Sequence, residues 1–434
     1  MEVEIPSSFN PVGSGARAMG MGSAFIAVAD DATAASWNPG GLSQLKTPEC
    51  SVVTSFFQRY EDIRFGTSPE GNGFHKIFDT NINYLSLSYP FRCLGREMIV
   101  SLSYQHLYDF RRDWEFTLKE KNSEIGELIH IQDHWNYQQN GRLSAVGISY
   151  CSQITPRLSL GFTLNFWKDG LSDNHWQQKY HSVKSVKLES HADDFPFPSG
   201  LDQASPDNED SSLMELDRTE SWSFSGFNFN IGLLWYVNPK WTIGLVLKTP
   251  FTADLEHKVI SREILGMPVE PEIRTSNEEL DMPVSYGIGV VRNFSDHFSM
   301  SADIYRTEWD KYIARDEHGY ETCPVSGKPA DESDIDATCQ IRIGGEYRII
   351  DKEKGYLIPI RSGIFYDPAP AEGNPDDIWG FSLGLGLTKS DFISLDIAYQ
   401  YRFGRGIGAS IMETLDFSHD VSEHMIYLSL ILYE

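Results

Sequence analysis

Long stretches of this 434-residue chain alternate strictly between apolar residues and polar or small ones, and this pattern limits the folds that it can adopt. In the clearest stretch, every second position is apolar or aromatic, and these positions are Leu395, Ile397, Tyr399, Tyr401 and Phe403. The residues between them are Asp396, Ala398, Gln400 and Arg402. A period of two is typical of β-strands whose faces meet different surroundings. The sequence therefore predicts an all-β fold.

Similar stretches predict fourteen strands, near residues 50–60, 81–91, 97–108, 141–152, 156–168, 222–237, 240–253, 280–293, 297–309, 338–349, 355–367, 376–388, 391–404 and 422–433. The connections alternate between short ones, such as Asn238-Pro239, and long ones, such as Asp169 to Ser221. Outer-membrane barrels have short periplasmic turns and long extracellular loops. The pattern therefore predicts a 14-stranded antiparallel transmembrane β-barrel over residues 48–434, with seven long extracellular loops.

A soluble β-sandwich also alternates, with its apolar faces turned to a core. The predicted strands are longer than the ~5–6 residues usual in globular sheets, which favours the membrane. Charged residues on the polar face favour it too, because a wet lumen holds ions that a protein core must pair. These are Glu346, Arg348, Arg361, Asp396 and Arg402. Aromatic residues near strand ends predict interfacial girdles, namely Tyr89, Tyr104, Trp167, Trp235, Trp241, Trp309 and Trp379.

The charge balance excludes some partners. With 36 basic and 62 acidic residues, the formal charge is −26, and nucleic-acid binding depends on basic residues that neutralise phosphates. The sequence has no run of about 18 consecutive apolar residues, so no membrane-spanning helix is predicted. The N-terminus lacks the basic and apolar regions of a secretory signal, so either the protein is cytoplasmic or a leader has already been removed. An outer-membrane location implies the second.

Neither catalysis nor a cofactor is predicted, because the sequence has no His-Glu-x-x-His motif and no Gly-x-Ser-x-Gly elbow. Acidic runs in the long connections are usual for solvated loops. The alternative is that these carboxylates bind divalent cations, but no spacing resembles an EF-hand, and no metal site is predicted. Cys323 and Cys339 flank one long connection and could form a disulfide. One pair among Cys50, Cys93 and Cys151 is a second option, and five free thiols are the alternative.

The segment before the first strand is dense in small residues and glycines. A nucleotide-binding reading fails, because the Rossmann pattern needs a glycine at Ala18 and a preceding strand. Asp30 or Asp31 is expected to cap a short Ala-rich helix, which Asn38-Pro39 is expected to end because proline disfavours helical geometry in the residue before it.

Three motifs in this segment resemble the start of the long-chain fatty acid transporter family of outer-membrane proteins. They are Gly15-Ala16-Arg17-Ala18-Met19-Gly20-Met21-Gly22-Ser23-Ala24-Phe25, then Ala29-Asp30-Asp31-Ala32-Thr33, then Trp37-Asn38-Pro39-Gly40-Gly41-Leu42. The resemblance implies a 14-stranded barrel with residues 1–47 as an internal hatch. It assigns hatch or gate roles to Gly15, Arg17, Gly20, Gly22, Asp30, Asp31, Asn38, Pro39 and Gly40. Gly40 replaces the family's usual alanine, which predicts a looser turn.

The resemblance also implies passive uptake of an apolar molecule. Loops would capture it, a hatch rearrangement would open the way through the barrel, and a gap in the wall would offer a sideways exit. Long-chain fatty acids or aromatic hydrocarbons would be the ligands, and outer-membrane lipid and lipopolysaccharide the surroundings. Candidate ligand-binding residues are Phe9, Phe25, Trp37, Arg348, Arg361 and Arg402. The alternatives are lumenal ion pairs with Glu346 or Asp396 for the arginines and wall packing for the aromatic residues. The alternative function is a surface-anchoring or secretion-shuttle barrel whose loops dock a protein partner.

Overall fold

A computed structural model describes residues 10–93, 95–124, 127–190, 211–264, 269–389 and 392–434. Its twenty described strands form one antiparallel sheet. The strands are β1 (Glu49–Phe65), β2 (Gly73–Cys93), β3 (Arg96–Asp109), β4 (Arg112–Glu124), β5 (Glu127–Thr155), β6 (Leu158–Lys168), β7 (Asn174–Ser190), β8 (Ser211–Asn238), β9 (Trp241–Lys248), β10 (Phe251–Ile264), β11 (Glu272–Met282), β12 (Ser285–Asn293), β13 (Phe298–Thr307), β14 (Ile313–Arg315), β15 (Glu321–Thr322), β16 (Thr338–Asp351), β17 (Tyr356–Tyr366), β18 (Ile378–Lys389), β19 (Ile393–Ile407) and β20 (Phe417–Tyr433).

The helices are short. They are α1 (Ala16–Gly20), α2 (Ala34–Trp37) and the 3-10 turns Pro39–Gln44, Pro69–Gly71, Trp309–Lys311, Ala409–Ile411 and Glu413–Leu415. Among the described residues, none of them has the length and apolar composition that a membrane crossing requires.

Fourteen strands close a barrel in the order β1, β2, β3, β5, β6, β8, β9, β12, β13, β16, β17, β18, β19 and β20. β20 then pairs with β1 along its whole length, from Glu49↔Tyr433 to Phe65↔Phe417. Closure gives every barrel strand a paired neighbour on both sides, as a structure in lipid requires. The prediction of a 14-stranded antiparallel barrel is confirmed.

The two faces of each strand differ as alternation requires. On β19, Leu395 and Ile397 are 49% and 46% exposed, whereas Asp396 and Ala398 are 6% and 1% exposed. A soluble protein would place its leucines inside, so the exposed apolar belt supports lipid as its surroundings. Of the predicted girdle residues, Tyr89, Trp235, Trp241 and Trp379 are exposed and Tyr104 is half-buried, but Trp167 and Trp309 are buried in an internal cluster, where the girdle prediction is wrong.

Several predicted long loops contain strands instead. β4, β7, β10 and β11 extend the sheet beyond the barrel. β4, β7 and β10 pair with outer parts of β5 and β8, which are 29 and 28 residues long, and β11 pairs with β10. The inner faces of β7, β8, β10 and β11 contribute to an apolar cluster around Trp176, Trp222 and Leu255, called the extracellular apolar cluster below. These strands carry few apolar residues on their other face, which lies outside the lipid, so their alternation is weak in the sequence.

Of the options left open for the cysteines, the structure shows the five free thiols and neither of the possible pairings, Cys323 with Cys339 or one pair among Cys50, Cys93 and Cys151. All five cysteines are free thiols. Cys323 is buried in the extracellular apolar cluster, whereas Cys339 is exposed on β16, beside Arg306.

Candidate functional site

Residues 10–47, called the N-terminal segment below, lie inside the barrel. Polar side chains of the wall bind their backbone: Asp303 Oδ2 accepts from Ile26 N at 2.9 Å, and Ser301 Oγ donates to the Ala24 carbonyl at 2.7 Å. On the opposite wall, Asn83 Nδ2 donates to the Gly13 carbonyl at 2.9 Å. A segment without long strands or helices needs such partners, because buried backbone groups are costly to leave unpaired.

One side of the wall meets this segment through glycines. They are Gly161, Gly232, Gly244, Gly289, Gly344, Gly363 and Gly384, and each would place a Cβ against the backbone or a side chain of the segment. Six form direct cross-strand pairs: Gly161↔Gly232, Gly244↔Gly289 and Gly344↔Gly363. A Cβ on Gly384 would lie 3.0 Å from the Gly20 Cα. We call this wall, from β6 to β18, the glycine arc.

The predicted hatch motif lies on this arc. Helix α2 ends at Trp37, and Asn38 is extended with φ −154°, as Pro39 predicted. Asn38 Nδ2 donates to the carbonyls of Ile26, at 2.8 Å, and Leu233, at 3.1 Å, while its Oδ1 accepts from Gly40 N at 3.0 Å. A Cβ on Gly40 would lie 2.8 Å from the Gly232 carbonyl oxygen. Close packing on the wall, rather than a looser turn, therefore explains this glycine.

The other predicted hatch residues fix local turns. Gly15 and Gly22 have φ of 87° and 63°, values that favour glycine. The N-cap of α2 is Thr33, so the prediction that Asp30 or Asp31 caps this helix is wrong. Asp31 is buried, and its Oδ1 accepts from Thr33 N at 2.9 Å, so it shapes the turn before α2. Asp30 instead pairs with Arg17, with Arg17 Nη1 and Asp30 Oδ1 2.8 Å apart.

Arg17 also joins the segment to the wall. Its Nε lies 3.2 Å from Glu346 Oε2, and Arg361 Nε donates to the same oxygen at 2.7 Å. Arg361 continues the chain of charges to Asp396. Among the described residues, Arg17 and Glu346 form the one ion pair between the N-terminal segment and the strands. Of the charges predicted for a wet lumen, Glu346, Arg361 and Asp396 are thus buried and paired.

A cavity lies on the extracellular side of the N-terminal segment. Its lining includes Asn10, whose side chain donates to the carbonyls of Asp367 and Pro368 at the outer end of β17. Its apolar lining comprises Val12, Met19, Ile26, Trp37, Phe57, Leu107, Tyr305, Phe365, Met425 and Tyr427. The cavity volume, taken as the space that the centres of water molecules can occupy, is about 90 Å³. On this measure one water molecule needs about 10–15 Å³. Several waters or part of one small ligand fit.

The charged groups that line the cavity are mostly paired. Arg402 Nη2 lies 2.8 Å from Asp367 Oδ2 and its Nη1 3.2 Å from Glu423 Oε2, and Arg59 Nε donates to Glu423 at 2.9 Å. Lys248 lies over the Tyr305 ring at 5.8 Å. Because paired charges hold one another, the apolar side chains dominate what the cavity offers a ligand.

The six predicted ligand-binding residues separate in space. Trp37 and Arg402 line the cavity. Phe25 is buried against Trp37 within the segment, and Arg361 lies in the ion network with Glu346 and Asp396. Arg348 faces a second pocket at the periplasmic end, with its Nε 3.6 Å from Glu346 Oε1. Phe9 lies outside the described residues. The ligand-binding roles remain predictions.

A gap in the wall opens beside this cavity. The ladder between β2 and β3 begins at Tyr84↔Gln105, so β3 residues His106 to Asp109 have no partner on β2. A bulge at Leu107 interrupts the pairing of β3 with β5, and the Leu107 carbonyl accepts from Val12 N at 2.7 Å. Arg111 bridges the gap, with its Nη1 2.9 Å from Asp79 Oδ1 and 3.2 Å from the Phe78 carbonyl. We call this opening the β2–β3 gap.

Sequence reasoning missed the residues around the gap. Asn81, His106 and Leu107 line the cavity there, yet none of them was predicted as a site residue. A bulge adds one residue to a strand and changes which face the following residues take. The one available signal was the break in alternation at His106-Leu107, within a strand that is otherwise regular.

Comparisons with known proteins agree with this architecture. The sequence profile of the family described as "Outer membrane protein transport protein (OMPP1/FadL/TodX)" matches residues 9–419. A Pseudomonas aeruginosa FadL homologue has a similar fold, with a TM-score of 0.62 and 15% identity over 98% of this chain and 100% of that one. For the CymD monoaromatic hydrocarbon channel, the TM-score is 0.55 and the identity 15%, over 98% of each chain.

The Pseudomonas putida toluene transporter TodX is also similar, with a TM-score of 0.56 and 13% identity over 97% of this chain and 98% of that one. No curated protein sequence gives a significant match. The matches are to transport proteins rather than enzymes, and they place the barrel in the bacterial outer membrane. The chain belongs to the FadL and TodX family of outer-membrane transport proteins.

Proposed function

We propose that this protein is a passive channel that takes small hydrophobic compounds into the cavity and releases them sideways through the β2–β3 gap. The observation that carries the proposal is the continuity of the apolar cavity with an interruption in the barrel wall, since Leu107 belongs to both. A greasy solute crosses the polar layer of lipopolysaccharide poorly, and a shielded apolar route lowers that barrier. Such a route needs no energy source.

An entry path is supported on the extracellular side. A smaller pocket shares Pro11, Leu107 and Lys248 with the cavity. The same pocket reaches Trp167 and Met282, which belong to the extracellular apolar cluster. Apolar side chains therefore line the way from the outer strands to the cavity. Surface anchoring needs neither the cavity nor the gap, so these features favour transport.

The hatch role of residues 1–47 enters this proposal through one hydrogen bond. Val12 N donates to the carbonyl of Leu107, the bulge residue beside the gap. A ligand that moves the first turn of the N-terminal segment therefore also moves the edge of the opening. The glycine arc holds the rest of the segment, so only this turn needs to shift.

Deletion of Leu107 tests the proposal. The bulge lies in the ladder between β3 and β5. Its removal lets β3 continue this pairing in a regular register, and we expect the straightened strand to narrow the gap on its β2 side. We expect uptake of radiolabelled toluene and 4-methylphenol by cells that carry the deletion variant to fall to the level of cells without the protein. Ser103→Ala on the same strand is the control, because Ser103 faces inward but does not line the cavity.

Both variants are first compared with the unaltered protein for heat-modifiable migration, which reports a folded barrel. A folded deletion variant that retains full uptake would contradict the sideways route. No uptake of either probe by the unaltered protein would overturn the channel proposal itself.

A further inference from the structure

Two buried hydrogen-bond acceptors line the cavity on the two strands that flank the β2–β3 gap. Asn81 on β2 is 5% exposed and His106 on β3 is 1% exposed. Asn81 Oδ1 and His106 Nδ1 have no hydrogen-bond partner among the described residues. Leaving a buried polar atom unpaired costs about 1–3 kcal/mol, so such atoms usually have a partner.

The amide orientation of Asn81 is fixed by its neighbour. Its Nδ2 donates to Asp79 Oδ2 at 2.8 Å, and a carboxylate only accepts. The other end of the amide is therefore a carbonyl oxygen, which lacks a donor.

The ring of His106 is fixed in the same way. Its Nε2 lies 3.1 Å from the carbonyl oxygen of Tyr108, so Nε2 carries the proton and donates it. Asp109 Oδ2 is 3.9 Å from Nε2, beyond hydrogen-bond reach. In the neutral ring, Nδ1 is then a lone-pair acceptor that also lacks a donor.

We infer that the cavity selects neutral hydrophobic compounds that carry a hydroxyl group, whose hydrogen is accepted by Asn81 Oδ1 or by His106 Nδ1 beside the gap. This inference rests on the proposed channel function and specifies its substrate class. A hydrocarbon leaves both acceptors unpaired. An ionised carboxylate offers no donor and meets Asp79 and Asp109 near the gap, so a hydroxyl is the group that fits.

Equilibrium binding of three ligands of matched shape to the purified protein in detergent tests the inference. The ligands are toluene, 4-methylphenol and 4-methylbenzoate. We expect 4-methylphenol to bind about tenfold more tightly than toluene, the ratio that one satisfied buried hydrogen bond supplies. The double variant Asn81→Leu/His106→Leu should lower this ratio toward one. Ser103→Ala should keep the ratio.

The outcomes separate the two claims. If toluene binds as tightly as 4-methylphenol, ordered water satisfies the acceptors, and the hydroxyl inference fails while the channel stands. If 4-methylbenzoate binds most tightly and Lys248→Met abolishes that preference, the head group is an anion held by Lys248, and the inference fails. If none of the three binds, the proposed function itself fails. Because each variant is judged by a ratio, a loss of folded protein does not imitate the expected result.

Discussion

The two sides of the lumen hold the N-terminal segment in opposite ways. Along the glycine arc, backbone packs against backbone, and a wall residue with a side chain would overlap the segment. Around β1 to β3 the wall carries large side chains, such as Phe57 and Arg59, which border the cavity. Here the segment meets the wall through single hydrogen bonds, such as those of Gly13 with Asn83 and of Val12 with Leu107. Wall positions without side chains therefore let the segment close the lumen along the glycine arc, whereas large side chains on the other wall leave a cavity beside the segment.

This contrast locates where movement is cheap. A close-packed interface changes only at the cost of overlap or voids. A cavity edge with an interrupted ladder has fewer contacts to lose. We expect perturbations of the glycine arc to affect the whole segment, and perturbations of the β2–β3 gap to affect passage alone.

The largest effect is expected for Gly232→Ala. A Cβ at this position would overlap Asn38 Oδ1 and lie 2.7 Å from Pro39 N, so the segment must shift. Overpacking of this kind costs about 1–3 kcal/mol, and we expect about 3 kcal/mol because backbone atoms cannot move aside. Single-channel recording in planar bilayers should show a conductance that the unaltered protein lacks.

Gly345→Ala is the matched control for this prediction. Gly345 lies on β16, next to Gly344 of the arc, but the nearest atom to a Cβ there is 3.6 Å away. We expect neither conductance nor a change in stability. Equal behaviour of the two alanine variants would mean that the glycine arc does not hold the segment.

The next effect is expected for Glu346→Gln, which breaks the ion pair between the segment and the arc. Removing one member of a buried pair costs about 3–5 kcal/mol. We expect about 2 kcal/mol here, because Arg17 keeps Asp30 and Arg361 keeps Asp396. Urea unfolding in detergent, followed by tryptophan fluorescence, measures the change. Glu353→Gln, in the exposed β16–β17 turn, should leave the midpoint unaltered.

How much the sequence revealed depends on which side of the barrel a residue serves. The lipid-facing strands could be predicted, because lipid on one face and the lumen on the other impose strict alternation. β19 was predicted at 391–404 and runs over Ile393–Ile407. The motif around Asn38 could be placed through its resemblance to a family. Outer strands such as β7 could not, because weak alternation resembles a solvated loop.

The cavity and gap were beyond the sequence for a different reason. Arg361 and Arg402 both alternate inward, yet Arg361 lies in the ion network and Arg402 borders the cavity. Alternation indicates which face a residue takes and carries no information on depth along the lumen. The glycine arc likewise joins residues from seven strands, and their shared role depends on where the N-terminal segment passes.

A smaller effect is expected at the gap for Arg111→Ala. Arg111 is 28% exposed and pairs with Asp79 across the opening. Such a partly exposed pair is worth about 0.2–1 kcal/mol, so its loss should raise the uptake rate of 4-methylphenol by at most about fivefold. Arg64→Ala removes comparable pairs with Asp62 and Asp420 at the outer end of β1 and should not change uptake. A fall in uptake for Arg111→Ala would show that Arg111 guides the ligand instead of closing the gap.

The smallest effect is a pH dependence in the loop over the outer end of the arc. Burial raises the pKa of Asp376 to about 6, although its Oδ2 accepts from Gly408 N at 2.7 Å. The folded loop therefore holds a proton that the opened loop releases near pH 4, so this stabilisation is complete below pH 4 and lost as pH rises through 6. The Ala369 amide donates to the Asp376 carbonyl at 3.0 Å and reports on this loop by hydrogen exchange. After correction for intrinsic exchange, this amide should be less protected at pH 7 than at pH 5, by less than about 1 kcal/mol. Asp376→Asn should remove this difference, and a difference that persists in the variant would assign it to another group.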